Sequence, residues 1–140
     1  MIEQGFRESE PIARIKQLPL YRKALDLYAL SRKLVESSST RSLQLLYQSS
    51  SEQERLMEDL VILTLKLPFE IALAQTSNNY NTKMLSSKKV HKRIVILKKH
   101  CKRLKENSIT NQENVSLLYK ELLTFKKMHK QWNLLLTQQN

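Results

Sequence analysis

The chain has 140 residues with one Gly, three Pro and one Cys, which fits a single domain with one core and excludes an internal disulfide. Leu, Lys, Glu, Arg and Ala make up 65 of the 140 residues, close to the half-share of long-helix sequences, and this points to an all-α fold. The net charge of +11 is one-sided: residues 1–70 hold ten basic and ten acidic groups, whereas residues 71–140 hold fourteen and three.

In chain order, residues 1–17 mix charges around Pro11 and a short apolar trio, Ile12, Ala13 and Ile15, and are expected to form a partly ordered arm with weak helical tendency. Pro19 suits a first helical turn, where its missing N–H is not needed, and Leu20, Ala24, Leu27, Leu30, Leu34 and Val35 follow at helical spacing. That predicts a first helix over about 18–36. Ser37-Ser-Ser-Thr40 is expected to end it, because short hydroxyl side chains compete for backbone hydrogen bonds. Leu43, Leu45, Leu46 and Tyr47 suggest a short helix or the frayed start of the next one.

Ser51-x-x-Glu54 has capping-box spacing, and Leu56, Leu60, Leu63, Leu67, Ile71 and Ala74 carry an apolar stripe through a second helix over about 51–77. Pro68 falls inside it. A proline there removes one backbone bond, so a kink near Thr64 to Leu67 is expected rather than a break, since the stripe resumes in phase. Thr76-Ser-Asn-Asn79 supplies a turn into a third helix over about 80–106, with Val90, Ile94, Leu97, Cys101 and Leu104 on one face. Thr110-x-x-Glu113 starts a fourth over about 111–137, where Val115, Leu118, Leu122, Phe125, His129, Trp132 and Leu136 alternate by 3 and 4. Four long helices joined by short connections predict an antiparallel up-down four-helix bundle over residues 18–140.

The third helix concentrates the charge. Ten Lys or Arg lie between Glu70 and Glu106 with no acidic residue among them, and helix four adds Lys120, Lys126, Lys127 and Lys130. A solvated helix usually alternates charge signs three or four residues apart, and this one sets like charges there instead. The expectation is a nucleic-acid interface of Lys88, Lys89, Lys92, Arg93, Lys98, Lys99, Lys102, Arg103 and Lys105, reading the phosphate backbone of RNA or DNA without sequence preference. No aromatic residue interrupts the run, so base stacking on a platform is not expected. If about six phosphates are neutralised, the log–log slope of affinity against salt is about −5. Docking on an acidic protein is the competing reading. A membrane-surface helix would need an exposed apolar face opposite the lysines, which the bundle takes up.

Val95, on the basic outer face, and Leu117, Leu123 and Leu134, off the main stripe of helix four, are apolar where an isolated bundle meets water, and are expected to line a homo-oligomer interface. Catalytic chemistry is not expected. His91, His100 and His129 lack partners at metal-ligand spacing, Glu58 and Asp59 diverge on a helix, one glycine cannot build a phosphate loop, and Cys101 reads as an inert core thiol. No metal or cofactor is expected. No run approaches the roughly twenty apolar residues of a membrane span, and Met1-Ile-Glu-Gln-Gly-Phe-Arg-Glu lacks the apolar core of a secretory signal, so a cytoplasmic setting without a membrane partner is expected.

The segment Leu67-Pro68-Phe69-Glu70-Ile71-Ala72, the preceding Leu20-Tyr-Arg-Lys-Ala-Leu-Asp-Leu-Tyr28 and the basic third helix together resemble a four-helix-bundle family encoded in intervening sequences of bacterial 23S ribosomal RNA genes. They also resemble its relative, the accessory variability determinant of diversity-generating retroelements. The likeness covers about Leu18 to Leu136. The ribosomal branch usually follows Ile-Ala with Glu-Gly, whereas this chain has Leu73-Ala74, which leans toward the retroelement branch. The resemblance implies a homopentameric barrel of four-helix bundles with a positive surface. In the retroelement branch it implies a nucleic-acid-binding partner of the reverse transcriptase that copies a template RNA.

Overall fold

A computed structural model describes residues 10–45, 51–106 and 111–138. Among these residues the fold is all-helical, with five helices packed against one another: α1 (Glu10–Gln17), α2 (Pro19–Leu45), α3 (Ser51–Thr76), α4 (Tyr80–Lys105) and α5 (Gln112–Gln138). The four long helices close a ring in which α2 packs on α3, α3 on α4, α4 on α5 and α5 back on α2. Cross-helix contacts give the directions. Along α4, Arg93, His100 and Arg103 meet Glu70, Asp59 and Glu52, so α3 and α4 run antiparallel. Ser87 meets His129 while Lys105 meets Tyr119, and Lys23 meets Glu121 while Ser37 meets Asn114, so α5 is antiparallel to both α4 and α2.

The core follows the 3.6-residue period. Val90, Ile94, Leu97, Cys101 and Leu104 on α4 and the whole Val115 to Leu136 stripe on α5 are buried. Leu20, Ala24, Leu27 and Leu34 on α2 and Leu60, Leu67, Ile71 and Ala74 on α3 meet them. Truncating one of the larger of these to Ala would cost about 2–5 kcal/mol, because the ring of neighbours cannot collapse fully into the space left.

One expectation about element ends changes. The first long helix runs nine residues past Glu36, through Ser37-Ser-Ser-Thr40 to Leu45. The Ser37 hydroxyl donates to the Leu34 carbonyl at 3.0 Å, and Ser38 is buried, so packing against the core holds a segment that serines alone would have released. Within the expected N-terminal arm, Glu10–Gln17 is helical and packs on α2 and α3, seated by Ile15, which is buried. The start of α5 is capped by Asn111, whose side chain accepts from the Asn114 N–H at 3.2 Å; Thr110 lies outside the described residues, as do Leu46, Tyr47 and the serines before Ser51.

Helix α3 passes through Pro68 unbroken, and Pro68 is buried. One turn earlier the Thr64 hydroxyl donates to the Leu60 carbonyl at 2.7 Å, the i−4 bond that accompanies bending in helices. The turn into α4 closes on Asn79, whose side chain accepts from the Thr82 N–H at 3.2 Å.

Candidate nucleic-acid interface

Helix α4 buries one face and must distribute its cations over the rest of its circumference. The flank facing α3 carries Arg93, His100 and Arg103, and α3 sets a carboxylate against each one. Arg93 donates to Glu70 at 2.8 Å with both side chains mostly buried. His100 Nε2 lies 2.5 Å from Asp59 Oδ2, and Arg103 pairs with Glu52 at the exposed start of α3. The order Glu52, Asp59, Glu70 runs opposite to Arg103, His100, Arg93, as antiparallel helices require. Arg93 therefore fastens two helices together, and of the nine cations expected at the interface it is the one drawn furthest into a protein contact.

The outward surface and the flank facing α5 differ. Lys88, Lys89, Lys92, Lys99 and Lys102 are exposed, Lys98 is half-buried, and no ion pair engages any of them among the described residues. Lys105 is exposed with its ammonium 4.7 Å from the Tyr119 ring centroid, a cation–π contact onto α5. On α5, Tyr119, Lys126 and Asn133 are spaced by seven residues and so share a line down the helix. Since Tyr119 meets Lys105 and Asn133 accepts from Ser87 at 2.6 Å, that line is the seam with α4, and it places Lys126, with Lys130 one turn on, beside the α4 lysines. All four expected α5 lysines, Lys120, Lys126, Lys127 and Lys130, are exposed. The face combines Lys88, Lys92, Lys99 and Lys102 with Lys126 and Lys130. The acidic residues of α5 are elsewhere: Glu121 pairs with Lys23 of α2, and Glu113 is in the first turn.

Beneath this face the seam is polar. His129, buried, lies with Nε2 at 3.1 Å from both the Ser87 hydroxyl and the Ser87 carbonyl. Because the Ser87 hydroxyl donates to Asn133, its oxygen can only accept from His129, which fixes the proton on Nε2. Burial lowers the His129 pKa below its ordinary value, opposed by the Ser87 carbonyl bond and aided by His91, whose ring stacks 6.3 Å away. Among the described residues the pair has no carboxylate behind it; the Ser87 side chain is closed to solvent, and the contact joins α4 to α5. Cys101 is a buried free thiol whose pKa is pushed up to about 12 by burial, with the charge of Lys105 opposing, and such a thiol is a poor nucleophile. Among the described residues no cluster of three His, Cys, Asp or Glu could hold a metal, and no helix is long and apolar enough to cross a membrane.

The four apolar residues expected at a subunit interface are all exposed but do not share one surface. Val95 sits among the α4 lysines, and Leu123 and Leu134, eleven residues apart, lie on the outer side of α5. Leu117 instead lines a groove against α2 with Lys23, Asp26, Leu30 and Glu121. A larger apolar feature was not read from the sequence: Ile62, Leu65, Phe69 and Leu73 are exposed along the outer side of α3. Their spacing of 3, 4 and 4 is itself helical, so a second stripe was present beside the buried one and marked a helix apolar on two sides.

Comparisons with protein-family models, with curated proteins and with solved structures return no match for this chain.

Proposed function

We propose that the chain is a non-enzymatic accessory protein that binds nucleic-acid backbone through the joint α4–α5 face. The observation that carries this reading is the set of exposed lysines without ion pairs among the described residues, Lys88, Lys92, Lys99 and Lys102, with Lys126 and Lys130 beside them and no α5 carboxylate on the seam. Like charges held together on a rigid surface repel one another, and a phosphate backbone relieves that repulsion while releasing its condensed counterions. In the setting that the family resemblance implies, the bound strand is the template RNA of a diversity-generating retroelement, the partner is its reverse transcriptase, and the bundles assemble as a homopentamer through Val95, Leu123 and Leu134. Repeating the face around such a ring would raise affinity by multivalency rather than by new contacts.

Lysines act as point charges without the planar fork of arginine, so binding should track charge rather than sequence. The test is retention of single-stranded RNA and of an acidic polypeptide by the full chain, compared with a variant carrying Lys92→Glu, Lys99→Glu and Lys102→Glu. The proposal expects RNA binding that falls by at least about a hundredfold in the variant. Retention of the acidic polypeptide with no RNA binding would replace it with a protein-docking role.

A further inference from the structure

A titratable ring sits in the middle of the lysine face. His91 is exposed on the α5 side of α4, three residues after Lys88, next to Lys92 and seven residues before Lys98. Across the seam its ring lies against that of His129, with centroids 6.3 Å apart and planes at 29°. Lys126 precedes His129 by one turn and Lys130 follows it directly, so α5 adds two further ammonium groups beside the ring. Carboxylates are on other sides. Glu52, Asp59 and Glu70 of α3 face the opposite flank of α4, where Arg103, His100 and Arg93 take them. Helix α4 has no acidic residue of its own, and α5 has only Glu113 in its first turn and Glu121, which pairs with Lys23 of α2.

We infer that His91 is a phosphate contact of this face: it holds the strand as an imidazolium, so that binding takes up a proton and tightens as the pH falls. The inference rests on the polyanion-binding reading and adds to it a residue and a dependence on pH. Histidine ordinarily changes charge between about pH 5 and 8, whereas lysines stay charged throughout that range. The ring at position 91 is bordered by cations alone, so the counter-charge for an imidazolium must come from outside the chain. A phosphate oxygen supplies it and favours the charged form, which can donate from either ring nitrogen. The stack against His129 also restrains the ring before any strand arrives, so His91 has less side-chain freedom to lose on binding than a lysine on its four-carbon stem.

Neither of the other histidines can take this part. His129 is buried with its Nε2 proton committed to Ser87, and burial together with the charge of His91 opposes its protonation. His100 has its Nε2 2.5 Å from Asp59 on the far flank. Among the described residues of α4 and α5, His91 is thus the group through which pH near neutrality acts on the lysine face.

The experiment titrates the full chain with fluorescent oligouridylate, whose bases and linkages do not change charge between about pH 6 and 8, at constant ionic strength. Wild type should bind about fivefold more tightly at pH 6 than at pH 8, with a log–log salt slope steeper by about 0.7, the increment for one more phosphate on a single strand. His91→Gln should show its pH 8 affinity at both pH values. His91→Lys should bind at both as tightly as wild type does at pH 6, and His100→Gln should follow the wild type. Partial unfolding at the lower pH would weaken binding, so it cannot mimic the expected gain. A wild-type affinity equal at the two pH values, or a gain that survives in His91→Gln, would overturn the inference while leaving lysine-dependent binding in place. Absence of binding at either pH, or binding unmoved by Lys92→Glu/Lys99→Glu/Lys102→Glu, would instead remove the reading on which it rests.

Discussion

The two sides of α4 both carry basic residues and differ in what stands opposite them. Toward α3, Arg93, His100 and Arg103 meet Glu70, Asp59 and Glu52. Toward solvent and α5, Lys88, Lys92, Lys99 and Lys102 meet no carboxylate among the described residues. The first arrangement joins two helices, and the second leaves charge available to something outside the chain. Charge count alone therefore overstates a binding surface, and the pairing of each cation decides which part of the count is available.

That contrast can be broken from either side. The largest effect is expected at the most buried pair. Arg93→Ala leaves Glu70 mostly buried without its partner and should destabilise the fold by about 1–3 kcal/mol in urea unfolding, with little change in RNA affinity. Lys92→Ala should do the reverse, lowering RNA affinity by about fivefold in an anisotropy titration and leaving stability within about 0.5 kcal/mol. If both substitutions moved the same quantity, the two flanks would not be distinct.

The seam beneath the lysines should report on pH. Folding lowers the His129 pKa, so above about pH 6.5 the group is neutral in folded and unfolded chains and its contribution is complete. As the pH falls below that value, the unfolded chain takes up the proton more readily than the folded one, and stability declines. Thermal unfolding from pH 7.5 to 5 should show a falling Tm that flattens in His129→Gln. The smallest effect is expected at Arg103 and Glu52, both well exposed to water: Arg103→Ala should change stability by about 0.5 kcal/mol or less.

The buried half of each helix was readable before any coordinates. The stripes from Val90 to Leu104 and from Val115 to Leu136 are buried residue for residue, because a 3.6-residue period and a two-sided environment leave little choice. Local rules failed where tertiary packing outweighed them, as at Ser37 and Ser38, where hydroxyl-rich sequence stays helical against the core. Pairing was not readable either: Glu70 and Arg93 are 23 residues apart and Glu52 and Arg103 are 51 apart, and nothing in a one-dimensional charge pattern says which acid a given cation will face. His129 follows the apolar stripe of α5 into the core, but its link to Ser87, 42 residues away, is not legible in that spacing. The outer line of α3 was legible in principle at the spacing of Ile62, Leu65, Phe69 and Leu73, but the stronger stripe beside it dominated the reading.

The most direct test of the account is the salt dependence of RNA binding, measured for the wild type, for Lys92→Ala/Lys99→Ala/Lys102→Ala and for Arg93→Ala. Six phosphate contacts predict a wild-type log–log slope of about −4 on single strands and about −5 on duplex. Removing the three lysines should halve that slope, and removing Arg93 should leave it unchanged. A slope near zero in the wild type, or one that falls as much for Arg93→Ala as for the triple variant, would contradict the claim that the exposed lysines of the α4–α5 face are the polyanion-binding surface.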